Sequence, residues 1–431
     1  MFWNSWLKKN EDPKIVFGRY DISYVETNLL EYWNKSVEAF NEKRYLDYYE
    51  NFFKYYNREE KGNIEFSRNF DRIDFKFYQG VKKITGYATN EKICAEVNVV
   101  KYSSLPIPLM RQLLDMNFNL NYSKFAINDN KICMKFTSFT SDCSPWKLHY
   151  ALEEMAKKSD KEDDVLLEKF KEAESIEVNF ENKMSDEEKE IKWKYFKKWM
   201  DDCFKTVEKL EEPRLSGAVL YNYMRTVFKI YYLLSPEGAT VDEIEKFFKK
   251  YYGEEVEDAH EKSVQMKKEF VKLSEKTEEK FKKDLYHVRN TFGYKKPYSH
   301  QQVANFINDE YQSQIWYSEN GYPEVVNAIF EYVAGYSLST YGMYDTTEKL
   351  FHLAMEILNR DYFEELGYKR DYYNGESLNK KGIEKRIAEI IAEGNKKDNG
   401  LAVSYADIKY DTINNFIGTY LKAISRLNYM E

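Results

Sequence analysis

Apolar residues recur along this chain with two periods, and the change between them divides it. Leu29, Leu30, Trp33, Val37 and Phe40 fall three or four apart, as do Tyr45, Tyr49, Phe52, Phe53 and Tyr56 after a break near Asn41–Lys43. Residues 28–57 are therefore expected to form two amphipathic helices. From Ile64 to Lys101 the period drops to two, with Ile73, Phe75 and Phe77 on one face and later Ile93, Ala95, Val97 and Val99. This predicts three or four antiparallel strands, with Gly80 and Gly86 near the turns. A short helix follows, capped by Ser103 or Ser104, carrying Pro106 and Pro108 in its first turn and a stripe of Leu109, Leu113 and Leu114, and ending near Asn117. Tyr122–Ile127 and Lys131–Phe139 alternate again across Asn128-Asp129-Asn130, a hairpin turn. Ser144-Pro145 then opens a helix whose stripe runs Leu148, Leu152, Met155, Leu166, Leu167 and Phe170.

Residues 171–185 are charged and weakly periodic. Beyond them every long segment has helical period. Capping boxes are expected at Ser185/Glu188, Thr240/Glu243 and Ser299/Gln302, and Pro213, Pro236, Pro297 and Pro323 punctuate the helices. One long amphipathic helix is expected over about 255–292, with further helices at 322–342, 345–366, 380–394 and 405–428. No repeat period is present. The expected organisation is an N-terminal extension over 1–27, an α+β domain with an antiparallel sheet and helices over 28–172, a linker over 173–185 and an all-α helical domain over 186–431.

Composition narrows the function classes. Of 431 residues 43% are hydrophobic, enough for two or three cores. The 38 Tyr and 28 Phe against 17 Gly and 8 Pro favour long helices over loops. Net charge is −8, from 65 basic and 73 acidic residues interspersed as on solvated helix faces, so nucleic acid is not an expected partner. Cys94, Cys133, Cys143 and Cys203 are scattered, which fits free thiols in a reducing, cytoplasmic compartment. Met1–Asn10 hold two Trp but no apolar run, so no signal peptide is expected, and no stretch is apolar enough to span a membrane.

The order helix, strands, helix, hairpin, helix over 28–172 resembles the fold of type III secretion chaperones and YbjN-like sensory-regulator proteins. Three segments carry the likeness. The helix Pro108-Leu109-Met110-Arg111-Gln112-Leu113-Leu114-Asp115-Met116-Asn117 resembles the family's helix between two sheet halves. Phe125-Ala126-Ile127-Asn128-Asp129-Asn130-Lys131-Ile132-Cys133-Met134 resembles its hairpin. Ala151 to Asp164, with Asp160 and Asp163, resembles its last helix and D-x-x-D element. The chain departs from the family in its residues before 28 and in the helices that follow. The resemblance implies protein binding, often with homodimerisation, and supplies no catalytic residues.

His149, His260, His287, His300 and His352 form neither H-E-x-x-H nor H-x3-H, and no Cys completes a zinc set, so they are read as satisfied surface or boundary side chains. No Arg precedes a His at the spacing of helical RNases; Arg289 and His300 are interrupted by Pro297. Asp71, Asp74 and Lys76 on one strand faintly resemble a metal-dependent nuclease, but alternating charges on a strand more often mark its solvated face. Asp160, Glu162, Asp163 and Asp164 lack the glycine of a calcium loop and read as an exposed helix segment. Gly335-Tyr336-Ser337-Leu338-Ser339 fails the nucleophile-elbow pattern at its last position. Tyr45–Tyr49 and Tyr336–Tyr344 are read as core or interface in preference to base-stacking platforms. The expectation is a non-enzymatic protein-binding module, chaperone-like or an adaptor, without catalytic residues, metal or cofactor, acting on a protein partner or client through residues the sequence does not assign. The alternatives are an immunity or inhibitor protein blocking one target, or a degenerate metal-dependent nuclease or toxin.

Overall fold

The computed structural model describes residues 17–18, 27–58, 62–176, 184–210, 213–253, 258–293, 295–396 and 400–429. The expectations for Met1–Asn10, for most of the extension and for 177–183 of the linker lie outside the described residues. The chain divides into two units, Arg19–Lys183 with His287–Tyr294, and Met1–Gly18 with Met184–Tyr286 and Lys295–Glu431.

The first unit is α+β. Helices α1 (Thr27–Asn41) and α2 (Tyr45–Tyr56) precede strands β1 (Ile64–Arg68), β2 (Arg72–Gln79), β3 (Lys82–Thr89) and β4 (Lys92–Tyr102). Helix α3 (Ile107–Phe118), the hairpin β5 (Lys124–Asn128) and β6 (Lys131–Phe139), helix α4 (Pro145–Lys169) and the short strand β7 (Ala173–Ser175) complete it. The sheet is antiparallel, ordered β1-β2-β3-β4-β6-β5, with β7 added on β4. Alternation puts Ile73, Phe75, Phe77, Ile84, Ile93, Ala95, Val97, Val99, Met134 and Phe136 on one face, in a core closed by Tyr48, Tyr49, Phe52 and Phe53 of α2 and Leu148, Leu152 and Met155 of α4. The buried tyrosines keep their hydroxyls satisfied: Tyr48 donates to the Cys143 carbonyl at 2.7 Å and Tyr49 to Thr140 Oγ1 at 3.0 Å.

Several local expectations are corrected. The α3 N-cap is Pro106 without a side-chain bond, not Ser103 or Ser104. Gly86 lies within β3, where Phe75 from β2 crosses it so closely that a Cβ would meet its ring at 2.4 Å. Part of the expected linker is strand β7. The acidic segment of α4 is largely not a solvated face. Asp163 pairs with the inward-pointing Lys82 of β3, and both side chains are under a tenth exposed. Asp160 accepts the Val81 N–H at 3.1 Å. It sits so close to Gly80 that a Cβ there would meet its carboxylate, and Gly80 has φ +56°, so only glycine fits this turn. Glu162 lies within 4.0 Å of Lys158.

Residues 287–294 also belong to this unit. Gln79 accepts the backbone N–H groups of Thr291 (3.2 Å) and Phe292 (3.0 Å), Thr291 Oγ1 donates to the Tyr78 carbonyl at 2.9 Å, and the Phe292 ring packs on Phe77 and Tyr56. The single helix expected over 255–292 therefore does not form. Instead α8 (Ala259–Ser274) and α9 (Glu278–Lys283) are separate, and the backbone beyond them exchanges helical bonds for bonds to β2.

The second unit is helical. Its other helices are α5 (Asp186–Glu208), α6 (Ser216–Lys229), α7 (Gly238–Tyr252), α10 (His300–Glu319), α11 (Pro323–Thr340), α12 (Asp345–Leu358), α13 (Arg360–Glu365), α14 (Lys380–Gly394) and α15 (Ile413–Ile424). Helix α11 is buried on almost every side and crosses α6 at Gly335, where a Cβ would meet Phe228 at 2.8 Å. Ser185 and Ser299 cap α5 and α10 as expected, the latter in a full capping box. Thr240 does not cap: it lies inside α7 and binds Asp284 through both its N–H and its hydroxyl. The helix expected over 345–366 breaks at Asn359, and of 405–428 only Ile413–Ile424 is α-helical.

Candidate protein-interaction surfaces of the α+β unit

With α2 and α4 on one face of the sheet, the other face is open. It forms a shallow concavity of about 820 Å³ floored by Glu65, Asp74, Lys76, Tyr87, Cys94, Glu96, Lys135 and Thr137. Register sets these residues in rows. Glu65 stands opposite Lys76, Thr85 opposite Glu96, and Glu96 opposite Lys135. Lys76 meets Glu65 at 2.7 Å, Lys135 meets Glu96 at 3.3 Å, and Arg72 pairs with Asp74 while its guanidinium lies 4.2 Å from the Tyr87 ring centre. Asp74 and Lys76 of the suspected nuclease strand thus each have a neighbour of opposite charge, whereas Asp71 lies exposed in the β1–β2 turn with none among the described residues. Cross-strand pairs of this kind stabilise a solvated sheet face.

A different surface lies on α3 and β5. Leu109, Leu113 and Met116 bury one side of α3. Ile107, Met110, Leu114 and Phe118 form a second stripe, spaced three, four and four, that faces outward; Leu114 is 68% and Phe118 89% exposed. Tyr122 and Ile127 are exposed beside it on the connection and on β5. Leu114, expected on the inner stripe with Leu109 and Leu113, belongs to the outer one. The signal was present: a short helix apolar on two sides must be buried twice or meet a partner.

The backbone around this stripe is locked. β5 is an edge strand, and Asn117 of α3 closes part of its free edge, accepting the Phe125 N–H at 2.6 Å and donating to the Phe125 carbonyl at 3.0 Å. Glu154 of α4 accepts the N–H groups of Asn121 (2.7 Å), Tyr122 (3.0 Å) and Ser123 (2.9 Å) and the Ser123 hydroxyl (2.8 Å). Burial would raise the Glu154 pKa, but these donors outweigh it and hold the carboxyl below its ordinary value. The apolar stripe therefore stands on a fixed platform.

The remaining candidates are dispersed. His149 Nδ1 shares a 2.6 Å hydrogen bond with Tyr56, its Nε2 lies 3.7 Å from Glu153, and burial lowers the pKa of the ring. His260 is near Ser216, His300 near Thr347, and His352 binds Tyr232 at 2.7 Å. His287 and Arg289 lie in the 287–294 segment of the first unit, whereas His300 opens α10 of the second. Among the described residues no three His, Cys, Asp or Glu side chains gather as a metal site, and no helix is long and apolar enough to cross a membrane. All four cysteines are free thiols. Tyr48 and Tyr49 are core, and Tyr336, Tyr341 and Tyr344 pack in aromatic clusters of the helical unit.

The chain matches no protein-family model, no curated protein and no solved structure.

Proposed function

We propose that this protein is a non-enzymatic protein-binding module, chaperone-like or an adaptor, whose α+β unit associates through the outer stripe of α3 and the adjoining β5. The carrying observation is that stripe: Ile107, Met110, Leu114 and Phe118 presented to solvent on a backbone held by Asn117 and Glu154. The order of helices and strands that carries the resemblance to secretion chaperones and YbjN-like proteins supports the same reading.

The first occupant of the stripe is a second copy of this chain. A helix of this length presents roughly 18 Å of stripe. Met110 and Leu114 lie inside Ile107 and Phe118, almost symmetrically about residue 112. Two such helices laid antiparallel about a two-fold axis set Met110 against Leu114 and Ile107 against Phe118.

Sedimentation of the full chain and of Leu114→Glu/Phe118→Glu tests this. Both positions are exposed, so the variant keeps the circular dichroism of the parent. The expected result is a dimer at micromolar concentration for the parent and a monomer for the variant. A parent that stays monomeric, together with unchanged recovery by the variant of every protein the parent co-purifies from its native cell, would sink the reading.

A further inference from the structure

A second surface of the α+β unit has a different chemistry. Trp146, at the start of α4, meets Trp33 of α1 edge-on with ring centres 5.7 Å apart, yet Trp146 is 49% exposed. Tyr150, one turn further along α4, and Leu30 of α1 are exposed near the same edge. Trp33, Val37 and Trp146 line a groove of about 460 Å³ whose polar wall is Asn34, Glu38, Asn41 and Glu42. The charges of α1 around it are unequal. Glu31 lies 3.5 Å from Lys35, and Glu42 pairs with Arg44, whereas Glu38 has no ion-pair partner among the described residues. The groove therefore joins two indoles, an apolar floor and an uncompensated carboxylate.

We infer that this groove docks a protein segment that carries an arginine or lysine beside an apolar side chain. Three properties select that partner. An indole face attracts a cation, a guanidinium above all, because its planar group stacks on the ring and still reaches a carboxylate with its edge. Glu38 supplies that carboxylate within the groove wall. Val37 and the Trp edges receive the apolar neighbour, and the exposed amides of Asn34 and Asn41 offer hydrogen bonds to an extended backbone. The same acidic wall repels phosphates, which turns away nucleic acid and anionic lipid. This surface is separate from the α3 stripe, so the inference stands whether or not the chain dimerises.

The test uses the full chain and three fluorescein-labelled peptides of one length and one leucine pattern, with arginine, glutamine or glutamate at the polar positions. Anisotropy titrations are run against the parent, Trp146→Ala, Glu38→Gln and Glu38→Lys. The arginine peptide is expected to bind the parent and to lose about tenfold in affinity with Trp146→Ala and more with Glu38→Lys. Glu38→Gln should lie between parent and Glu38→Lys, and binding should weaken with salt. Equal binding of the three peptides, or an arginine peptide indifferent to both Trp146→Ala and Glu38→Lys, overturns the assignment. Should Trp146→Ala fail to fold, the Glu38 pair decides alone, since that side chain is exposed.

Discussion

Replacing Asp163 with Asn is expected to be the most damaging single-atom change in the α+β unit. Lys82 points from β3 into the core, where its side chain is 3% exposed and that of Asp163 7%. Among the described residues, Lys82 Nζ otherwise donates to the Val99 carbonyl at 2.9 Å. Two opposite charges about 4 Å apart attract by about 4 kcal/mol at an effective dielectric constant near 20. Asp163→Asn removes that attraction and leaves the ammonium buried with neutral oxygens. Breaking one side of a buried pair costs about 3–5 kcal/mol. At about 2–4 °C per kcal/mol for a domain of this size, the unit should melt roughly 6–20 °C lower. A second variant tests the cause. Lys82→Met/Asp163→Leu removes both charges and should recover most of the loss, because a buried pair replaced by apolar side chains is often neutral or stabilising. Since the chain has two units, a global melt is not two-state. The readout is therefore hydrogen exchange by mass spectrometry on peptides from β2–β3 and α4, with peptides of α11 as internal reference. A loss below about 1 kcal/mol for Asp163→Asn, or a double variant as unstable as the single one, would refute the argument.

Two further outcomes are expected. Glu154 has a lowered folded pKa, so its contribution is present above its unfolded pKa of about 4.3 and is lost as pH falls through the lower folded value. Glu154→Gln should cost about 1–2 kcal/mol at pH 7 and flatten the acid limb of the stability curve below about pH 5; an unchanged limb in urea titrations contradicts the assignment. Among the thiols, burial raises the pKa of Cys133, Cys143 and Cys203 to about 11, whereas Cys94 is partly exposed on the open sheet face. A disulfide reagent should therefore modify one thiol quickly, the fast phase should vanish in Cys94→Ser, and a second fast equivalent would place the open face elsewhere.

The fold class was legible because period is a local property. The two-residue alternation of β2, β4 and β6 and the three-to-four spacing of α2 and α4 follow from which side of each element is buried, and both can be counted without knowing what buries it. What failed was information held by distant partners. Gly86 looks like a turn residue, yet a Cβ there would meet both the Cys94 carbonyl and the Phe75 ring of the two neighbouring strands at 2.4 Å. Thr240 has the spacing of a cap, but Asp284 takes its hydroxyl. The acidic run of α4 reads as solvated because nothing nearby in sequence needs it, while Gly80, Val81 and Lys82 come to it from another hairpin. Residues 284–293 keep apolar spacing compatible with helix, but the Gln79 side chain takes the backbone N–H groups of Thr291 and Phe292, and the Tyr78 carbonyl takes the Thr291 hydroxyl.

The open sheet face and the outer side of α3 follow opposite physical logic, and that contrast favours the α3 stripe over the sheet face as a place of association. A solvated sheet face tends to recruit other chains unless it is made polar and satisfied. Here the rows Glu65–Lys76 and Glu96–Lys135, with Arg72 placed over Tyr87, satisfy it internally. Helix α3 receives no such treatment. Its inner side already supplies Leu109, Leu113 and Met116 to the core, so folding asks nothing apolar of Ile107, Leu114 or Phe118. Water would be met as well by polar side chains at those positions, and at lower risk of aggregation. An apolar stripe that the unit's own stability does not require, mounted on a platform fixed by Asn117 and Glu154, is the ground for proposing a partner that covers it.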